Sequence, residues 1–199
     1  MDWREGYERA AARYDAGEGR AHDERQLVQL GNAAWAAGLC LLMDGDDAGA
    51  SEWLVRAAER YRESWDAGAP PDAWGRPIAA MKALLIAGAD ARAAAKWALD
   101  AGAVDAESPI GRYAGTLALL VLGRNEEAAE VAAMLDPPFP TDVAASLRAL
   151  ATGDRDAFAT AVADVRASYE NRDGYLEDIP VPDTALALEA LSRIARVGP

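Results

Sequence analysis

Catalysis by side chains needs a nucleophile, an acid–base group or a set of metal ligands at workable spacing, and this chain offers few of them. His22 is the only histidine, so a two-histidine metal site is excluded, and a serine or cysteine nucleophile would have to use His22 as its base. It sits among Arg20, Asp23 and Glu24, in a polar turn before a helix, where a solvated or capping role is expected. Cys40 is the only cysteine; it excludes an internal disulfide and a thiolate zinc site, and its neighbours Leu39, Leu41 and Leu42 predict a small buried residue. Asp44, Asp46 and Asp47 around Gly45 superficially suggest a calcium loop. The fifth and twelfth positions from Asp44 are Ala48 and Val55, so the ligand pattern fails. Glu126, Glu127 and Glu130 form an outward helix face near a helix N-terminus, where the dipole favours acids. With 33 acids in 199 residues, carboxylate pairs at any spacing arise by chance. No catalytic residue, metal ligand or cofactor site is expected.

Charge narrows the partners. The net charge is -13, and 18 of the 20 basic residues are Arg. A field of this sign repels phosphate backbones and anionic lipid surfaces, so neither nucleic acid nor membrane is an expected partner. The richest basic stretch, Arg4, Arg9, Arg13, Arg20 and Arg25, is interleaved with seven acids. A GC-rich genome gives this Ala, Arg and Asp bias, and a salt-adapted source gives the same acidic surface. The N-terminus lacks the apolar core of a secretory signal, and no run of eighteen apolar residues occurs, so a cytoplasmic protein is expected.

The elements that must position any site are helical. Of the 199 residues 48 are Ala, the best helix former, and strand patterning is absent. Period, breakers and caps predict ten helices, at about 2–16, 23–43, 47–67, 72–87, 90–101, 108–122, 125–135, from Thr141 as cap, 154–171, and from Asp183 as cap to about 196. Bulky helix ends followed by Gly45, Gly88, Gly123 and Gly153 recur at spacings of 43, 35 and 30 residues, each glycine suited to the left-handed position past a helix end. The second, fourth and sixth helices are apolar nearly all round and are expected to be inner; the third, fifth and seventh are one-sided and outer.

These residues carry a family resemblance. Leu30-Gly31-Asn32-Ala33, then Ala50, Leu54 and Ala57, resemble the two helices of a tetratricopeptide repeat. Gly123-Arg124-Asn125-Glu126-Glu127-Ala128-Ala129 with Pro137 resembles a second joint, and Gly88, Ala93 and Trp97 a third. The resemblance implies an all-α fold, an irregular right-handed stack of antiparallel helix pairs. It is expected to form a single domain over residues 1–199, with repeats over 23–171 and a closing helix over 183–197. The segment from Tyr169 to Ala195 is also similar to the ends of some all-helical immunity proteins of polymorphic toxin systems.

All six tryptophans precede residue 98. Core packing explains them; alternatively Trp35, Trp74 and Tyr113, on successive inner helices, line a partner-binding groove, since helical stacks bind on such surfaces and aromatic anchors dominate interfaces. Three functions follow: a non-catalytic module binding a protein, a peptide or a second copy of the chain; an immunity-type protein that neutralises a toxin by stoichiometric binding; and an enzyme with a carboxylate-based site.

Overall fold

The computed structural model of the protein describes residues 1–21, 23–172 and 174–195. His22 and the expected last two residues of the closing helix, 196 and 197, lie outside the described residues. Among the described residues there are ten α-helices and no strand, as the composition requires. The chain packs as two units, Met1–Ala89 with Asp173–Val181, and Asp90–Arg172 with Pro182–Pro199.

In the first unit, α1 (Trp3–Gly17), α2 (Glu24–Asp44), α3 (Asp47–Asp66) and α4 (Gly75–Ile86) follow in order. Aspartate starts three of them: Asp2, Asp23 and Asp46 accept from the backbone N–H groups of Glu5, Gln26 and Gly49. Each bond satisfies one donor that a helix start leaves unpaired. α2 is the central element, packed on α1, on α3 and on a short 3-10 turn at Leu176–Asp178. It is buried from Leu30 to Leu41 except for Asn32. Two of its glycines let neighbours close in: a Cβ at Gly31 would stand 2.8 Å from the Tyr61 ring, and one at Gly38 would stand 2.7 Å from Leu54. α2 is also long and apolar enough to cross a membrane, which amends the expectation that no segment is; 61% of that stretch is buried inside the protein.

The second unit contains α5 (Arg92–Asp100), a 3-10 turn at Ala103–Asp105, α6 (Pro109–Val121), α7 (Asn125–Ala133), α8 (Thr141–Thr152), α9 (Arg155–Glu170) and α10 (Asp183–Ala195). α6 is central here. Ser108 caps it, accepting from Gly111 at 3.0 Å, and Pro109 occupies its first turn. It packs on α5 and α7 and touches α8 and α10. Gly115 is required by proximity, because a Cβ there would meet the Ala103–Val104 backbone at 3.0 Å. α10 lies against α9, α8 and α6, so within this unit it closes the apolar side of α9.

The four glycine joints share one geometry. Gly45, Gly88, Gly123 and Gly153 all have positive φ, between 67° and 86°. The residue after each donates its N–H to a carbonyl five residues back: Asp46 to Leu41, Ala89 to Leu84, Arg124 to Leu119 and Asp154 to Ala149, all within 3.0 Å. That is the Schellman ending, which a β-carbon would strain.

Four helix starts differ from expectation; at α10, Asp183, expected as the cap, is already the first helical residue. α4 begins at Gly75 rather than residue 72, because the chain after Pro70-Pro71 is spent in tight turns, with Ala73 N–H on Pro70 O and Trp74 N–H on Asp72 O. α5 begins at Arg92, since the Asp90 carboxylate takes the Arg92 N–H at 2.9 Å and keeps Ala91 outside the helix. Thr141 does not cap α8: Pro140 holds the extended cap conformation (φ -57°, ψ 120°), and Thr141 is already helical.

Candidate functional site

Unit by unit, the aromatic candidates lie in the interior. Trp35 is 3% exposed, Trp74 7% and Tyr113 8%. Trp35 and Trp74 belong to the first unit and Tyr113 to the second. Trp74 leans on Trp65, with ring centroids 6.0 Å apart, and Tyr113 on Phe139 at 5.4 Å. Burial, helped by the Asp183 charge, holds the Tyr113 hydroxyl far above the ordinary tyrosine range.

Cys40 is fully buried, and burial raises its thiol pKa against the opposing pull of Arg9. Gly6 leaves room for it, since a Cβ there would stand 2.8 Å from the sulfur. Asp46 is consumed as the α3 cap. Glu127 pairs with Arg124, Nε to carboxylate at 2.7 Å. Among the described residues, no three His, Cys, Asp or Glu side chains gather in a way that could hold a metal ion.

The polar side chains that do converge lie elsewhere in the first unit. α1 brings Arg13 and Gly17, one turn apart, to a cleft of about 440 Å³. α2 brings Gln26, Gln29 and Leu30, and Ala33 one turn on, to its other wall. These positions recur at three- and four-residue steps, so they share a face. Arg20, in the turn between the helices, also lines the cleft and is exposed. The last wall comes from far along the chain: Glu177 reaches Arg13 and pairs with its guanidinium. Glu177 is the better sheltered partner, with 17% of its side chain exposed against 51% for Arg13.

Beside the cleft, a polar net fixes α1 to α3. Arg60 on α3 donates from Nε to the Tyr14 hydroxyl at 3.0 Å, and Tyr14 donates to Glu18 at 3.2 Å. Arg60 also reaches Glu63 and Glu18. Behind α2, the fully buried Ser64 donates to the Glu24 carbonyl at 2.7 Å and accepts from Arg76, whose guanidinium also holds the Glu24 carboxylate. These bonds set the register of α1, α3 and α4 against α2, and so set the cleft walls.

The sequence offered a faint signal for this cleft. Arg13 and Arg20 stood out only as members of a net-acidic stretch, and the Pro-flanked Tyr-Leu-Glu-Asp-Ile segment only as a likeness. Nothing local joins residues 164 apart. Chemically the cleft can grip: it presents guanidinium donors, carboxamides and an apolar floor. Comparison with known proteins finds no matching family model, no matching curated protein and no matching solved structure.

Proposed function

We propose that this chain is a non-catalytic protein–protein interaction module of tetratricopeptide-like, stacked-hairpin build, which holds a segment of its partner in the cleft between α1 and α2. The observation that carries the reading is the cleft's composition. Its lining of Arg13, Arg20, Gln26, Gln29 and Glu177 is made of groups that bind through hydrogen bonds and charge. An apolar floor with a few placed polar groups is the usual makeup of a binding site. The four identical Schellman joints support the hairpin framework, in which each helix pair repeats one local solution. The charge of -13 supports a protein partner over a nucleic acid.

The test is reconstitution. Partners crosslinked to the chain in its source cells are identified, purified and titrated against it by calorimetry and sedimentation. The reading expects a saturable complex of fixed stoichiometry. It fails if every purified candidate sediments separately from the chain.

A further inference from the structure

Residues 173–181 belong to the first unit although the chain on both sides of them belongs to the second. Ile179 and Val181 anchor this strap; both are buried, at 1% and 0% exposure. Between the anchor and the cleft, Glu177 (φ 58°, ψ 20°) and Asp178 (φ 57°) both adopt the left-handed conformation. No glycine is there to make that easy, and two such residues in succession store strain. The strained conformation is the one that delivers the Glu177 carboxylate to Arg13. The cleft thus already holds an acidic side chain, presented by a Leu-Glu-Asp segment of the same chain, in a conformation that costs free energy to maintain.

From this we infer that the cleft takes an acidic segment of a partner protein, one carboxylate of which replaces Glu177 on Arg13 while a second pairs with Arg20, so that Glu177 acts as a built-in occupant that the partner displaces. The inference rests on the interaction reading above and names its ligand. Three observations favour a peptide over a free anion. The resident carboxylate belongs to a peptide. Gln26 and Gln29 also line the cleft, and their side chains carry the amide chemistry of a peptide group. Leu30 and Ala33 give the lining an apolar part, suited to an apolar side chain of the incoming segment. Displacing Glu177 frees two residues from the left-handed region, which offsets part of the loss of its ion pair. The chain's net negative charge does not forbid an acidic ligand, because in physiological salt fields are screened beyond ~8 Å and the adjacent guanidiniums dominate.

The experiment uses the full chain and a fluorescein-labelled peptide containing Leu-Glu-Asp, capped at both ends, read by anisotropy. Glu177→Gln removes the competing carboxylate charge from Arg13 without shortening the strap, so it is expected to bind the peptide roughly tenfold or more tightly than the wild type, as weakening of a competing occupant requires. Adding Arg13→Gln is expected to abolish the gain, and a Leu-Gln-Asn peptide is expected not to bind. Equal affinity of wild type and Glu177→Gln, both folded by circular dichroism, overturns the inference. Arg20→Gln alters an exposed side chain and leaves the strap intact; unchanged peptide affinity in that variant overturns it as well. A reconstituted partner complex that neither Arg13→Gln nor excess peptide weakens also overturns it, while leaving the interaction reading in place.

Discussion

The two units solve the same packing problem with different materials. The first is built round rings: Tyr14 and Tyr61 are buried at 2%, Trp35 at 3%, and Trp53 is edge-on to both Tyr7 and Tyr14. The second has its deepest side chains among aliphatic residues, Leu117, Leu119, Leu147, Leu188 and Leu191 at 1% or less, with its rings Trp97, Tyr113, Phe139, Phe158 and Tyr169 set nearer the surface at 6–8%. Rings bring polar edges into the interior, so the first unit ties helix to helix through side chains, as Tyr61 does to Asn32 at 2.9 Å and Arg60 to Tyr14. In the second unit the buried hydroxyls of Thr116 and Ser146 bond back to their own helices. Its inter-helix polar ties are few: Arg148 reaches the carbonyls of Ala132 and Leu135, and Arg166 grips Glu189. The first core fixes register largely by hydrogen bonds; the second fixes it mainly by shape.

The comparison breaks most visibly when the second unit loses its cover. Deleting the chain from Asp183 onward uncovers Phe158, Val162, Val165 and Tyr169, and burial of each such side chain contributes ~1.5–3 kcal/mol. The second unit is expected to unfold or aggregate. Tryptophan near-ultraviolet dichroism, with Trp3, Trp35, Trp53, Trp65 and Trp74 in the first unit, is expected to persist in part. A truncated chain that melts at the wild-type temperature would sink the covering role.

Next comes a cavity on each side. Trp35→Ala is expected to cost ~3–5 kcal/mol and Leu117→Ala ~2–5 kcal/mol in urea unfolding, the cost tracking how far each site can collapse. If Trp35→Ala keeps its unfolding midpoint and changes only sedimentation, the ring serves a surface.

Ser64→Ala sharpens the contrast in polar ties. It leaves the Arg76 Nε donor without the Ser64 hydroxyl and removes the donor to Glu24, with an expected loss of ~1–3 kcal/mol. Ser146→Ala, which removes only a bond within α8, is expected to cost visibly less by the same measurement. Equal losses would erase the distinction between the two cores.

Alkaline titration reads the rings directly. Burial raises the hydroxyl pKa of Tyr113, and of Tyr14, where Arg60 opposes it. A raised folded value means the unfolded chain ionises first. The contribution is therefore complete below about pH 10 and is lost as pH rises toward the folded value. Between about pH 9 and pH 11, Tyr113 alone is expected to remove roughly 1.4 kcal/mol. Tyr113→Phe is expected to abolish that part of the slope, seen as a wild-type denaturant midpoint that falls relative to the variant's as pH is raised.

The smallest effect belongs to Arg166→Ala. The pair with Glu189 is bidentate at 2.8 Å, yet 38% and 31% of the two side chains remain exposed, so a loss of ~0.2–1 kcal/mol is expected. A larger loss would move the second unit toward the first in its reliance on polar ties.

What the sequence made legible was local. Ser108 before Pro109 and the four glycine joints each act within six residues, and the structure has them where the pattern puts them. The starts of α4, α5, α8 and α10 differ because a capping residue read by type alone does not fix a start. The backbone before it, two prolines in one case and a side-chain bond skipping a residue in another, set the boundary instead. The cleft was hidden for a different reason. Arg13 and Glu177 are ordinary surface residues by every local measure, and left-handed backbone at Glu177 and Asp178 has no signature in residue type. Only the long-range return of the strap makes a site of them.

That return has a consequence for the order in which the chain is made. The ribosome completes α1 to α4 and then adds residues 90–172 before the strap exists, an interval of roughly 4–16 s at ~5–20 residues per second. Throughout it the nascent first unit lacks the two anchors Ile179 and Val181, and Arg13 has no Glu177 to hold. The cleft is therefore emptiest during synthesis, and its own last wall is the final piece of that unit to emerge.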